Sequence, residues 1–274
     1  MTEHWRELNR ANWDERVAVH LGPSGYDLAL LRTGRDRLNA IEEAELGPVA
    51  GLRVLHLQCH FGRDSLILAN RGAEMTGLDF PAPAVAAARA FALEMKLGAR
   101  FVQADLYDAP AAIPEPASFD LVFTTWGTIC WLPDLTRWVQ VIAHFLCPGE
   151  ALYFADAHPA AYVFDDMAGA DAQERPGWFV PYFGCEPVTT DDPSDYVDAA
   201  ARLTNARQVN WLHPLSSVLG ALHDAGLRLE WLHEHPRVTW RMFRCLVRDE
   251  DGCWTWPDRP WLPLSVSLRA TRSA

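Results

Sequence analysis

Paired cysteines, long apolar runs, basic clusters and a full set of turn glycines are what this chain lacks. Its six cysteines stand singly, with no CxxC pair. That argues against a disulfide framework or a structural zinc site, and for free thiols in a reducing cytoplasm. No apolar run approaches the length of a membrane span, and residues 1–10 are polar and charged, unlike a signal peptide. Lysine and arginine number 24 against 36 aspartates and glutamates, a formal charge of -12. The densest basic stretches, 32–37 and 237–248, are broken by acids or apolar residues, whereas phosphate recognition needs clustered cations. The expectation is a cytoplasmic monomer or homodimer with a small-molecule substrate, no nucleic-acid partner and no membrane partner.

With 49% hydrophobic residues over 274 positions, the chain can build a large core. Residues 1–50 read as a helical cap, interrupted at His20-Leu21-Gly22-Pro23-Ser24-Gly25-Tyr26, with a second helix over 34–45. Apolar strands then alternate with helices. Strands are predicted at 53–57, 74–80, 100–104, 119–124 and 151–155, and helices at 64–71, 82–97 and 131–146, with Gly98 capping the second helix. The alternation implies a mostly parallel, Rossmann-like α/β sheet covered on both faces, with ligands beyond the carboxyl ends of its strands. Regularity fails between 158 and about 208, where Pro, Gly, Asp and aromatic residues dominate; an insertion of that length suggests a lid. A helix at 215–225, a strand at 227–234, a hairpin around Glu250-Asp251-Gly252 with arms at 242–248 and 253–256, and an alternating strand at 264–270 follow. The organisation is a helical cap (1–50), a cofactor-binding core (51–157), an insertion (158–209) and a completion of the core (210–274).

The run Val54-Leu55-His56-Leu57-Gln58-Cys59-His60-Phe61-Gly62, with Asp79 seventeen residues beyond Gly62, reads as strand, tight turn, helix start and an acid ending the next strand. That layout holds an adenosine-containing cofactor in an open α/β sheet. A carboxylate at position 79 can accept both ribose hydroxyl hydrogens; its other reading is a cap for the helix opened by Pro81. Asp105 ends the third strand, and is otherwise a turn residue before Tyr107-Asp108.

The chain resembles class I S-adenosylmethionine-dependent methyltransferases, closest to a bacterial group whose first motif reads HLQCHFG. The resemblance rests on His56-Leu57-Gln58-Cys59-His60-Phe61-Gly62, Thr76-Gly77-Leu78-Asp79-Phe80, Phe119-Asp120-Leu121-Val122-Phe123-Thr124-Thr125-Trp126, Trp131-Leu132-Pro133-Asp134-Leu135, the closing strand and Asn12-Trp13-Asp14-Glu15-Arg16. It implies a last strand antiparallel to the others, S-adenosylmethionine as cofactor, and direct displacement at the methyl carbon. By resemblance, the cofactor lies against Gln58, Cys59, His60, Phe61, Gly62, Asp79 and Phe80. Asp105 and the Leu106 amide receive the adenine, and the backbone at Thr124 to Trp126 receives the amino group. Only Gly62 remains of three usual glycines. A pyrophosphate needs the bare glycine turn, whereas a phosphate-free sulfonium cofactor tolerates a loop carrying side chains. A nicotinamide-dependent oxidoreductase and a non-catalytic cofactor-binding module are the competing readings.

His158, after the fifth strand, is the candidate general base, or a loop histidine fixing local structure beside Pro159. Trp13, Tyr26, Tyr162, Tyr182 and Phe183 are candidates for the acceptor pocket. Trp126 either walls the sulfonium or packs under the lid. His56, Cys59 and His60 match no common zinc spacing. His233 and His235 share one strand face with Glu234 on the other, so two ligands stand where a third would be needed. No metal is expected.

Overall fold

Val54, Leu55 and Leu57 are wholly buried, and the short apolar runs around them become the middle of a seven-stranded sheet. The computed structural model describes residues 4–171, 174–184, 186–198 and 200–274. The first part holds α1 (His4–His20), α2 (Leu28–Arg32) and α3 (Ala40–Glu45). The core follows as β1 (Arg53–Leu57), α4 (Arg63–Asn70), β2 (Glu74–Asp79), α5 (Ala82–Glu94), β3 (Arg100–Gln103), α6 (Ala109–Ala112), β4 (Phe119–Thr125), α7 (Leu135–Phe145) and β5 (Leu146–Ala157). Next come β6 (Phe164–Ala170), β7 (Pro176–Trp178), β8 (Val188–Asp191) and β9 (Arg207–Asn210). The last part holds α8 (Leu215–Asp224), β10 (Leu227–His235), β11 (Arg237–Val238), β12 (Val247–Arg248), β13 (Trp254–Thr255) and β14 (Ser265–Arg272).

The sheet order is β10-β14-β5-β4-β1-β2-β3. Strands β5, β4, β1, β2 and β3 pair in parallel, while β14 runs antiparallel to both β5 and β10. Strand order reverses between β1 and β4, and a crevice opens at such a switch point beyond the carboxyl ends. One face packs Trp138 and Ile142 of α7 and Val218 and Leu222 of α8. The other packs Leu66 of α4, Val85 and Phe91 of α5 and Leu31 of α2. Among the described residues, no helix is long and apolar enough to cross a membrane.

Several boundaries differ from the sequence expectation for identifiable reasons. The helix expected over 34–45 is shorter: Gly34 turns left-handed and Asn39 is extended, so α3 begins at Ala40. The helix expected over 131–146 begins at Leu135. Pro133 favours an extended residue before it, Leu132 is extended, and the Asp134 side chain caps α7 by accepting from the Arg137 amide. Gly98 is not the cap of α5. Lys96 takes the left-handed position instead, with its amide on Leu93 O and the Leu97 amide on Ala92 O, the two bonds of a Schellman motif. The irregular insertion contains two antiparallel pairs, β6 with β7 and β8 with β9. The hairpin arms shrink to β12 and β13, and β11 joins β13 on its far side.

Candidate active site

A cavity of about 530 Å³ lies beyond the carboxyl ends of β1, β2 and β4. The turn after β1 forms its floor. Gln58 and His60 both hold left-handed backbone, with φ of 58° and 51°, as does Gly62. The turn therefore has the geometry that glycine ordinarily supplies, with two side chains added; a non-glycine residue in this region costs roughly 1–2 kcal/mol. Gly62 cannot be replaced in the same way. A Cβ there would lie 2.8 Å from the Phe101 ring and 2.9 Å from Ala88 Cβ.

Asp79 ends β2, buried. Its Oδ2 accepts the His60 amide at 2.5 Å and its Oδ1 the Phe80 amide at 2.7 Å. Burial pushes its carboxyl up to about 6 against the pull of those two amides. Each carboxylate oxygen keeps a second lone pair. Gln58 donates Nε2 to Thr128 O at 3.0 Å, leaving its buried Oε1 with no hydrogen-bond partner. Thr125 Oγ1, also on the wall, is likewise buried and without a partner. Trp126 is left-handed (φ 57°), lines the cavity edge-on to Trp240, and donates Nε1 to Glu42 Oε1 at 2.5 Å.

Cys59, Phe61 and Phe80 also line the cavity, as do Trp13, Tyr26 and Tyr162. Asp105 and Leu106 do not. They line a neighbouring space of about 30 Å³ together with Asp79, Phe80 and Trp5 of α1. The Asp105 carboxylate accepts the Tyr107 amide and lies 3.1 Å from Arg6 Nε. Thr124 is wholly buried and off the wall; Thr125 stands there in its place. His158 is off the wall too. Its Nδ1 accepts the Ala160 amide at 3.0 Å and its Nε2 lies 3.0 Å from Glu234, so it fixes the chain after β5. Tyr182 and Phe183 are not on the wall: the Tyr182 hydroxyl accepts the Leu215 amide and Phe183 is exposed, whereas Phe179 and Val180 line the cavity.

His56 bonds Ser65 Oγ through Nδ1, and burial drives its imidazole down to about 3, so it is neutral. Glu45 of α3 reaches the His233–His235 pair, 2.8 Å from His233 Nδ1. Among the described residues, no group of three or more His, Cys, Asp or Glu side chains could hold a metal.

Sequence reasoning missed a buried polar network. Asp195 Oδ2 accepts from Arg16 Nη1 at 2.8 Å and lies 3.1 Å from His20 Nε2, and His20 Nδ1 lies 2.8 Å from His60 Nε2. Burial opposes the charge of Asp195, but His20, the Val197 amide and Arg16 outweigh it and hold the carboxyl down at about 2. The available signal was the spacing of Asn9, Asn12, Arg16 and His20 on one face of α1, all buried.

Residues 54–149 match the family model of a methyltransferase domain. The "Ubiquinone biosynthesis O-methyltransferase" of Pectobacterium carotovorum is 27% identical over 202 residues, covering 74% of this chain and 76% of the relative. Its namesake in Alkalilimnicola ehrlichii is 33% identical over 156 residues, covering 56% and 62%. Among solved structures, an S-adenosylmethionine-dependent methyltransferase of Mesorhizobium loti superposes with a TM-score of 0.58 at 23% identity, over 85% of this chain and 96% of that one. One from Listeria monocytogenes gives 0.59 at 15% identity with the same coverage. The seven-stranded sheet is that of the class I methyltransferase fold. The chain carries a methyltransferase domain over residues 54–149, on the fold of the S-adenosylmethionine-dependent methyltransferases.

Proposed function

We propose that the acceptor is a hydroxyl-bearing molecule with a flat apolar body, and that the enzyme is an O-methyltransferase. The observation that carries this reading is the mixed lining of the cavity. It offers the Asp79 carboxylate and the partnerless oxygens of Gln58 and Thr125 together with the rings of Trp126, Trp131, Tyr162, Phe164, Trp240 and Phe243. Rings lined in this way favour a planar substrate. The choice of oxygen follows the O-methyltransferases to which the chain is similar.

The polar groups suit S-adenosylmethionine. Asp79 would take the ribose hydroxyls, Gln58 Oε1 and Thr125 Oγ1 the ammonium, and Asp105 with the Leu106 amide the adenine. Bound there, the cofactor supplies an electrophilic methyl group on a sulfonium. The protein's share is alignment and exclusion of water. The unpaired thiols of Cys59, Cys130, Cys147, Cys245 and Cys253 support a cytoplasmic setting.

Calorimetry with S-adenosylhomocysteine and a methylation screen over phenols, catechols and amines test the reading. The expected results are binding that Asp79→Ala weakens at least tenfold and that fades as pH falls through about 6, where Asp79 gains its proton, with turnover of hydroxyl acceptors. Turnover of amines alone would sink the O-methyl assignment. Undiminished binding by Asp79→Ala would sink the ribose site.

A further inference from the structure

Few cations face the cavity. Four acids line it, Asp64, Asp79, Asp165 and Asp192, against two arginines, Arg16 and Arg63. The histidines on the wall add no charge. Burial holds His56 down at about 3, and burial reinforced by His20 holds His60 well below the usual range, so both are neutral. S-adenosylmethionine carries a carboxylate on the same carbon as its ammonium. Among these acids, a carboxylate needs an arginine beside it.

Arg63 has every nitrogen committed. Nε and Nη2 donate to Asp36, Nη2 donates also to Arg37 O, and Nη1 donates to Asp64. Arg16 differs. Its Nε donates to Asn12 Oδ1 and its Nη1 to Asp195 Oδ2, both at 2.8 Å, while Nη2 donates to none of the described residues. The side chain is 7% exposed and lines the cavity. A guanidinium is a rigid planar fork, so two committed nitrogens fix the direction of the third. The position agrees with the charge. Trp13, three residues earlier on α1, meets His60 and Trp131 edge-on, at 5.4 and 5.3 Å between centroids. Arg16 Cζ stands 5.9 Å from the Trp13 ring. This stretch of α1 therefore lies against the turn that carries Gln58, the proposed partner of the cofactor's ammonium.

We infer that Arg16 recognises the cofactor's carboxylate through Nη2, while Nη1 keeps hold of the insertion through Asp195. The inference rests on the reading of this cavity as the S-adenosylmethionine site. One guanidinium then serves cofactor and insertion together, with Asn12 and Asp195 as its positioning residues. It also gives a task to the stretch Asn12-Trp13-Asp14-Glu15-Arg16, which ribose, adenine and ammonium leave unused.

Calorimetry with two ligands tests this: S-adenosylhomocysteine, and its decarboxylated form, which keeps adenine, ribose and ammonium and lacks only the carboxylate. The wild type should bind S-adenosylhomocysteine about 30-fold more tightly than the decarboxylated form. Arg16→Met should remove that preference, costing S-adenosylhomocysteine about 30-fold and the decarboxylated form no more than about threefold. Arg16→Lys keeps a cation for Asp195 but loses the fork. It should cost S-adenosylhomocysteine about tenfold, and it carries the comparison if Arg16→Met does not fold. A merely structural role for Arg16 would weaken both ligands alike. Asp79→Ala should do so, because both carry the ribose. Equal loss of the two ligands with Arg16→Met, or no loss of either, overturns the inference while the Asp79 result stands. So does a wild type without preference for the carboxylate-bearing ligand. If Arg16→Met spares both ligands but weakens 3,4-dihydroxybenzoate relative to catechol, the carboxylate belongs to the acceptor and the assignment to the cofactor is overturned. A wild type that binds neither ligand, or an Asp79→Ala variant that binds both undiminished, overturns the cofactor site and the inference with it.

Discussion

Glu42 is a carboxyl with almost nothing to hold its charge. It is wholly buried in α3, its Oε1 accepts from Trp126 and Asn39, and its Oε2 has no partner. Burial first, and then the charge of Asp64, raise it from 4.5 to about 8. A carboxyl raised in the folded state binds its proton more tightly there than in the unfolded chain. Its contribution to stability is therefore complete below about pH 4.5 and is lost as pH rises through about 8. Glu42→Gln should match the wild type near pH 5 and exceed it at pH 9 by a few kcal/mol, on the order of what such a shift allows. Melting curves across that range decide it; parallel pH profiles would show that Glu42 ionises without cost. His158 supplies the opposite kind of test. Its Nδ1 holds the Ala160 amide and its Nε2 lies beside Glu234, so His158→Ala should cost about 1–3 kcal/mol of stability and leave kcat within threefold. A hundredfold loss in a folded variant would return it to the chemistry. At this scale the sequence marked Asp79, Gln58 and His60 as worth attention through position alone. It could not distinguish Thr124 from Thr125, or see His60 meet His20, because those depend on where strand ends and a distant helix come to rest.

At the scale of elements, legibility followed the kind of contact each element makes. Strands β1 to β4 read out within a residue or so because continuous apolar runs between turns have one economical home, the middle of a parallel sheet. Helix α1 reads as a helix, but its purpose is hidden, because it holds the insertion with polar groups. Asn9 exchanges two hydrogen bonds of 2.8 Å with the backbone of Val209, in the manner of a neighbouring strand. Asn12 donates to Asn205 O, Glu15 accepts the amides of Thr204 and Asn205, and Arg16 holds Asp195. Hydrophobic periodicity carries no trace of such a seam. Asn9→Ala leaves a buried amide and carbonyl of β9 without partners, a loss of about 1–3 kcal/mol. Hydrogen exchange should accelerate through β8 and β9, while exchange in β1 and β4 stays slow. Uniform acceleration would mean that the insertion and the core open together.

For the whole molecule, the question is how a cofactor enters a fold whose space beside Asp105 and Leu106 is nearly shut. The space beside Asp105 and Leu106 is about 30 Å³, room for a water or two. The start of α1 forms its outer side: Trp5 lines it, and Arg6 lies 3.1 Å from the Asp105 carboxylate. If adenine takes that corner, the first turns of α1 must swing outward and the Arg6–Asp105 contact must part before the ring can seat. Because Asn9, Asn12 and Arg16 tie the rest of α1 to the insertion, the movement has to be confined to the beginning of the helix or drag the insertion with it. Arg6→Ala removes the latch, along with the guanidinium's contacts over the Trp5 and Tyr107 rings; a partly exposed ion pair contributes at most about 1 kcal/mol to folding. Stopped-flow fluorescence, with Trp5 as the reporter, should show S-adenosylhomocysteine associating several-fold faster with Arg6→Ala than with the wild type. Fluorescence change and rate should both vanish from dependence on Arg6 if the cofactor enters through the larger cavity with α1 at rest. In that case adenine lies against Phe80 in the larger space, and the corner beside Asp105 is packing.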